Sequence, residues 1–113
     1  MKDMLDKILQ IEKKYNELGE TLSDPAVIQD YNRFRDLSKQ RKSMEETVNL
    51  YYEWKKTTDA IAEAKEMLHS ESDEEMKAFL KADMEANEAK IPEFEERMKV
   101  LLLPRDPMDD KDI

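Results

Sequence analysis

Asp30–His69, DYNRFRDLSKQRKSMEETVNLYYEWKKTTDAIAEAKEMLH, is the stretch whose reading decides the fold. It holds no Gly and no Pro, and most of its residues are good or neutral helix formers. Apolar side chains recur every three or four positions, the period of a helix with a buried stripe. At ~1.5 Å per residue, one helix over this stretch is roughly 60 Å long. A chain of 113 residues cannot enclose such a rod. The sequence therefore predicts a spine along which shorter helices lie.

The stripe on the spine does not stay on one side. Phe34, Leu37, Met44, Val48 and Tyr51 share a face in the first half, and Leu50, Trp54, Ile61 and Leu68 share one in the second. The rotation between them exceeds the ~20° per heptad of a straight helix carrying a heptad seam. The two halves are thus expected to face different neighbours, the first helix packing on one half and the last helix on both.

Before the spine, Met1, Met4, Ile8, Ile11, Tyr15, Leu18 and Leu22 are spaced alternately by three and four, a heptad seam. Leu5 and Leu9 widen it. Asp3 and Asp6 lie near the positive end of the helix dipole, and Lys13 and Lys14 further on. Gly19, the single glycine, is expected as a C-cap of a helix over about residues 2–21. In Ser23-Asp24-Pro25, Asp24 can cap and Pro25 fits the first helical position, giving a short turn of helix over 25–29. Asp30 can cap the spine itself.

After the spine, His69-Ser70-Glu71-Ser72-Asp73 is a polar break, and Ser72 with Glu75 matches a capping box. Met76, Phe79, Leu80, Met84, Ile91, Phe94, Met98 and Leu101 then continue a helical stripe, with Ala82, Ala86 and Ala89 as a small-residue face for close approach. Pro92 removes one hydrogen bond and clashes with the Glu88 carbonyl, so a kink or break is expected near Ile91–Pro92. Pro104 ends the helix, because a residue before proline disfavours the α region. The expectation is an all-α, elongated, antiparallel three-helix bundle, coiled-coil-like. Its helices cover about 2–21, 31–69 and 73–102. Residues 1–103 form the helical domain, and 104–113 an extended linker towards missing C-terminal domains.

Composition agrees. Charged residues make up 42% and hydrophobic ones 39%, which suits amphipathic helices with wet outer faces and disfavours a doubly wound sheet. Regular apolar spacing argues against disorder. A net charge of −9 repels bare nucleic acid, so any RNA contact must come from a local patch. Without Cys there is no disulfide and no thiolate chemistry. The N-terminus is too charged for a signal peptide, and no apolar run approaches membrane-spanning length, so no membrane partner is expected.

Candidate sites are few. His69 with Glu66 and Glu71 is weaker as a metal site than as a cation at a helix C-terminus, since metal sites need three or four convergent ligands. Arg35, Lys39 and Lys42 share one side of the spine, with Arg33 and Arg41 nearby, in the densest basic segment of an acidic chain. They are candidates for touching phosphate or an acidic protein, against a solvated face with i,i+4 pairs. Tyr51, Tyr52 and Trp54 read better as core than as base-stacking residues, because Glu45, Glu46 and Glu53 surround them. The acidic groups Glu71/Asp73/Glu74/Glu75 and Asp109/Asp110/Asp112 lack the glycine of a calcium loop. No catalytic triad, phosphate loop or metal motif is present. The sequence points to neither an enzyme nor a cofactor.

The tail LLLPRDPMDDKDI, Leu101–Ile113, resembles the junction LLLPxDPxDxK after the first domain of the bacterial peptide chain release factor one family. The N-terminal helix ending in LSDPAVI (Leu22–Ile28) is similar to that family's, and YNRFRDLSKQR (Tyr31–Arg41) looks like the family's segment leading into its long helix. Release factor two has a different junction. The resemblance implies a cytoplasmic factor that enters the ribosomal A site at UAA or UAG and triggers peptidyl-tRNA hydrolysis. The family's Pro-x-Thr and Gly-Gly-Gln motifs are both missing from this chain, so neither activity is assigned to a residue here. The resemblance also implies contacts with the large-subunit stalk base near the GTPase centre, the recycling GTPase release factor, the methyltransferase that modifies the family's glutamine, and the remaining domains of its own chain. The competing reading is a generic coiled-coil scaffold or oligomerisation module.

Overall fold

The computed structural model describes residues 2–103. Met1, which opens the expected seam, and the expected linker 104–113 lie outside the described residues. Four helices follow one another: α1 (Lys2–Thr21), α2 (Pro25–Gln29), α3 (Tyr31–Ser70) and α4 (Glu74–Leu101). Among the described residues there is no strand. The molecule measures 61 × 37 × 23 Å, its length set by the 40-residue α3.

The three later helices each start on a side chain that satisfies a free amide. Asp24 Oδ1 accepts from the Ala26 amide at 3.0 Å, with Pro25 opening α2. Asp30 Oδ1 accepts from the Arg33 amide at 3.2 Å and starts α3. The cap of α4 is Asp73, not Ser72: its Oδ2 accepts from the Met76 amide at 3.3 Å, while Glu71 accepts from the Asp73 amide at 3.1 Å. The expected Ser72–Glu75 capping box is displaced by one residue, because a carboxylate next to the helix start is the stronger acceptor.

Gly19 does not end α1. The helix runs on to Thr21, and no described glycine has positive φ. The backbone amides of Leu22, Ser23 and Asp24 donate to the carbonyls of Leu18, Glu20 and Thr21 at 2.9, 3.0 and 3.1 Å, and the Ser23 hydroxyl to that of Gly19 at 3.2 Å, so the helix closes without the left-handed residue that was expected. Gly19 instead leaves room for Arg41: a Cβ there would lie 3.0 Å from Arg41 Nη2.

The core forms where three helices overlap. Ile8 of α1, Leu50 and Tyr51 of α3, and Met98 of α4 make a buried cluster, with Met4, Leu5, Trp54, Phe94, Leu101 and Leu102 packed against it. The rest of the α1 seam follows: Leu18 is buried and Ile11, Tyr15 and Leu22 are half-buried. Tyr51 and Trp54 stack at 6.1 Å as core residues, but Tyr52 is exposed.

The rotated stripe on α3 explains the architecture. α1 runs antiparallel to its first half, Tyr15 reaching Arg41 and Ile8 reaching Leu50 and Tyr51. α4 returns from Ser70 along the second half, and its last turn, Val100 and Leu101, arrives beside Glu46. The last helix therefore covers the second half and reaches into the first as far as Glu46. At 28 residues it is too short to follow a 40-residue spine to its start. Pro92 lies inside α4, which continues through it unbroken. Ala82, Ala86 and Ala89 are exposed and mediate no close approach.

Candidate docking surface

Arg35, Lys39 and Lys42 are all exposed on α3, at steps of four and three that set them on one side of the helix. The continuous helix thus brings all three into one row. Arg35 makes an ion pair with Asp36 at 3.7 Å, and Lys42 one with Glu45 at 3.8 Å. Both pairs are open to solvent and hold their cations weakly. The row begins just beyond the end of α4, since Lys42 stands one turn before Glu46.

The neighbouring basic residues have other work. Arg41 is turned inward: its Nε donates to the Tyr15 carbonyl at 3.1 Å and its guanidinium lies 3.8 Å from the Tyr15 ring centroid. Arg33 gives its backbone amide to the Asp30 cap and leaves its side chain exposed.

Sequence reasoning passed over Tyr31, which entered only as the first residue of the segment YNRFRDLSKQR. It is 73% exposed, and the Arg35 guanidinium sits 5.9 Å from its ring centroid. Its place at the head of the row was legible, being four residues before Arg35.

Other surfaces offer less. A groove of about 660 Å³ between the start of α1 and the end of α4 is lined by Asp3, Met4, Lys7, Glu95, Lys99 and Leu103, among others, a mixture of both charges with apolar side chains. Met67, Met76 and Phe79 are exposed near the α3–α4 turn. His69 stands in the last turn of α3, where a cation suits the helix dipole. Among the described residues no three His, Asp or Glu side chains converge. Tyr52, on the α1 side, has its phenol pushed above its ordinary value, chiefly by hydrogen bonding to Glu12, then by burial and the Glu12 charge, with Asn16 opposing. Among the described residues no helix is long and apolar enough to cross a membrane.

The chain as a whole is similar to known proteins. The chain is 42% identical over 110 residues to peptide chain release factor 1 of Oceanobacillus iheyensis, and 42% over 110 to that of Halalkalibacterium halodurans. It is 43% identical over 112 residues to peptide chain release factor 1 of Streptococcus agalactiae serotype V. These matches take in 97–98% of this chain but 31% of each relative, so the chain spans about a third of their length. No solved structure matches. The model of the PCRF domain matches residues 11–113, and the chain belongs to the PCRF domain family.

Proposed function

We propose that this chain is the helical docking arm of a translation-termination factor of the UAA/UAG-reading type, and that it meets the ribosome through Arg35, Lys39 and Lys42. The observation that carries the reading is the 40–43% identity to peptide chain release factor 1 across nearly all of the chain. The arm is passive. Codon reading and peptidyl-tRNA hydrolysis belong to the remaining domains, and the rigid spine sets the distance between them and the docking point. The cytoplasmic ribosome, at the large-subunit stalk base, is the principal partner. The recycling GTPase release factor and the glutamine methyltransferase are further ones.

Charge reversal tests the docking residues. Arg35→Glu, Lys39→Glu and Lys42→Glu together should weaken co-sedimentation with ribosomes and flatten its dependence on salt, because fewer phosphate counterions are released. Unchanged association and an unchanged salt slope would assign docking to another face.

A scaffold reading draws on the exposed Met67, Met76 and Phe79. It requires concentration-dependent self-association. The docking reading expects a monomer by sedimentation equilibrium, and a stable dimer would favour the scaffold.

A further inference from the structure

The basic row begins with an aromatic ring that the fold does not use. Tyr31 is the most exposed of the described large hydrophobic side chains, and it stands one turn before Arg35. Tyr31, Arg35, Lys39 and Lys42 follow at steps of four, four and three, and so share one face of α3. From Tyr31 to Lys42 the chain exposes Arg33, Arg35, Lys39 and Lys42 against a single acid, Asp36, within a total charge of −9. Charge is concentrated here, and an aromatic surface is set beside it.

We propose that this face binds single-stranded RNA, a base stacking on Tyr31 and the neighbouring phosphates meeting Arg35, Lys39 and Lys42. The ring offers an exposed surface to any base, and Arg35 beside it adds a cationic plane against which the base also packs. Cations one helical turn apart stand about 5–6 Å from each other. That is comparable to the separation of successive phosphates along a nucleotide strand. The exposed Asp36 and the half-buried Glu45 now paired with Arg35 and Lys42 give way at little cost to a polyanion. An acidic protein segment would be held by the three cations alone and would leave Tyr31 idle. A duplex would satisfy the cations but present no unstacked base. The choice of RNA over DNA rests on the ribosome-docking reading above.

The test uses the whole chain and a fluorescent decauridylate, followed by anisotropy from low to moderate salt. Binding should be measurable at low salt and fall with a log–log slope of about −2, for three phosphates at ~0.7 each. Tyr31→Ala should weaken it about tenfold, within the range for loss of one stacked base, while Tyr31→Phe keeps it. Circular dichroism should be unchanged in both variants. A duplex of the same length should bind more weakly than the single strand.

No binding at low salt, or equal affinity of Tyr31→Ala and the native chain, overturns the proposal. So does equal competition by a ten-residue oligo-aspartate, which would identify an acidic protein as the occupant. The docking reading fails separately. If charge reversal spares ribosome association while the oligonucleotide still binds through Tyr31, docking is lost and RNA binding stands. If reversal weakens ribosome association and the oligonucleotide does not bind, docking stands and RNA binding is lost.

Discussion

The Arg41 guanidinium lies 3.8 Å from the centroid of the Tyr15 ring, and its Nε donates to the Tyr15 backbone carbonyl at 3.1 Å. One side chain of the spine thus grips one residue of α1 by both its ring and its backbone. A cation over a ring in a half-buried site and a charged hydrogen bond together stabilise by about 2–3 kcal/mol. Arg41→Ala should reduce unfolding free energy by that amount in urea titrations. Arg41→Lys should recover little of it, since an ammonium cannot stack and donate as a planar guanidinium does.

Gly19 belongs to the same contact. Alanine inside a helix ordinarily stabilises by about 1 kcal/mol over glycine. Here the added Cβ would meet Arg41 Nη2 at 3.0 Å and Nε at 3.1 Å, and the guanidinium can withdraw only by loosening its hold on Tyr15. Gly19→Ala should therefore be neutral or destabilising in the native chain and stabilising by about 1 kcal/mol in the Arg41→Ala background. Equal effects in both backgrounds would show that the two residues are not coupled.

Tyr52 gives a pH signature. Glu12 holds the phenol proton, chiefly by hydrogen bonding, and raises the folded value above that of the unfolded chain. The sign follows from proton counting: between about pH 10 and the raised folded value, the folded state keeps a proton that the unfolded state has lost. Tyr52 thus contributes stability that is fully present below about pH 10 and is lost as pH rises through the folded value. Alkaline ultraviolet titration should show Tyr52 ionising late, and Glu12→Gln should bring it earlier.

Core and surface of α1 separate by a single residue. Ile8 is fully buried in the cluster with Met98, while Leu9 is 45% exposed. Ile8→Ala and Met98→Ala should each lose about 2–5 kcal/mol in chemical denaturation. Leu9→Ala, though it removes a similar side chain, should lose no more than about 1 kcal/mol, because it opens no cavity.

The helical class and the rotated stripe on the spine were legible, because an apolar side chain at every third or fourth residue matches the turn of a helix and not the two-residue period of a strand. Val48, Tyr51, Leu50 and Trp54 all turn inward as the pattern implies. Asp24 and Asp30 were legible as caps, since a short carboxylate before a helical run has a local job. What the sequence hid was relational. Gly19 looked like a helix end because its partner, Arg41, is twenty-two residues away and visible only once α1 folds back on α3. Arg41 looked like a member of the basic patch for the same reason. Tyr52 looked like core beside Tyr51 and Trp54, but it faces the polar flank of α1 at Glu12 and Asn16. The row Arg35, Lys39 and Lys42 was legible as a row. The place of Tyr31 at its head was legible too, but its exposure was not, because a tyrosine next to a helix cap gives no sign in sequence of whether its ring will be buried.

Pro92 is the remaining strain that substitution can release. It sits inside α4 without breaking it, so the carbonyl one turn earlier, at Glu88, lacks the usual amide donor. Pro92 is exposed, and what it contributes to the groove with Met4 and Leu102 is modest. Pro92→Ala restores the amide and removes the ring clash, and in an unbroken helix both changes act in the same direction. The variant should be more stable by about 1–3 kcal/mol. For a domain of this size each kcal/mol raises the thermal midpoint by about 4–8 °C. A lower midpoint would mean that the ring packs against the end of α1 more strongly than its exposure indicates, making the groove part of the core.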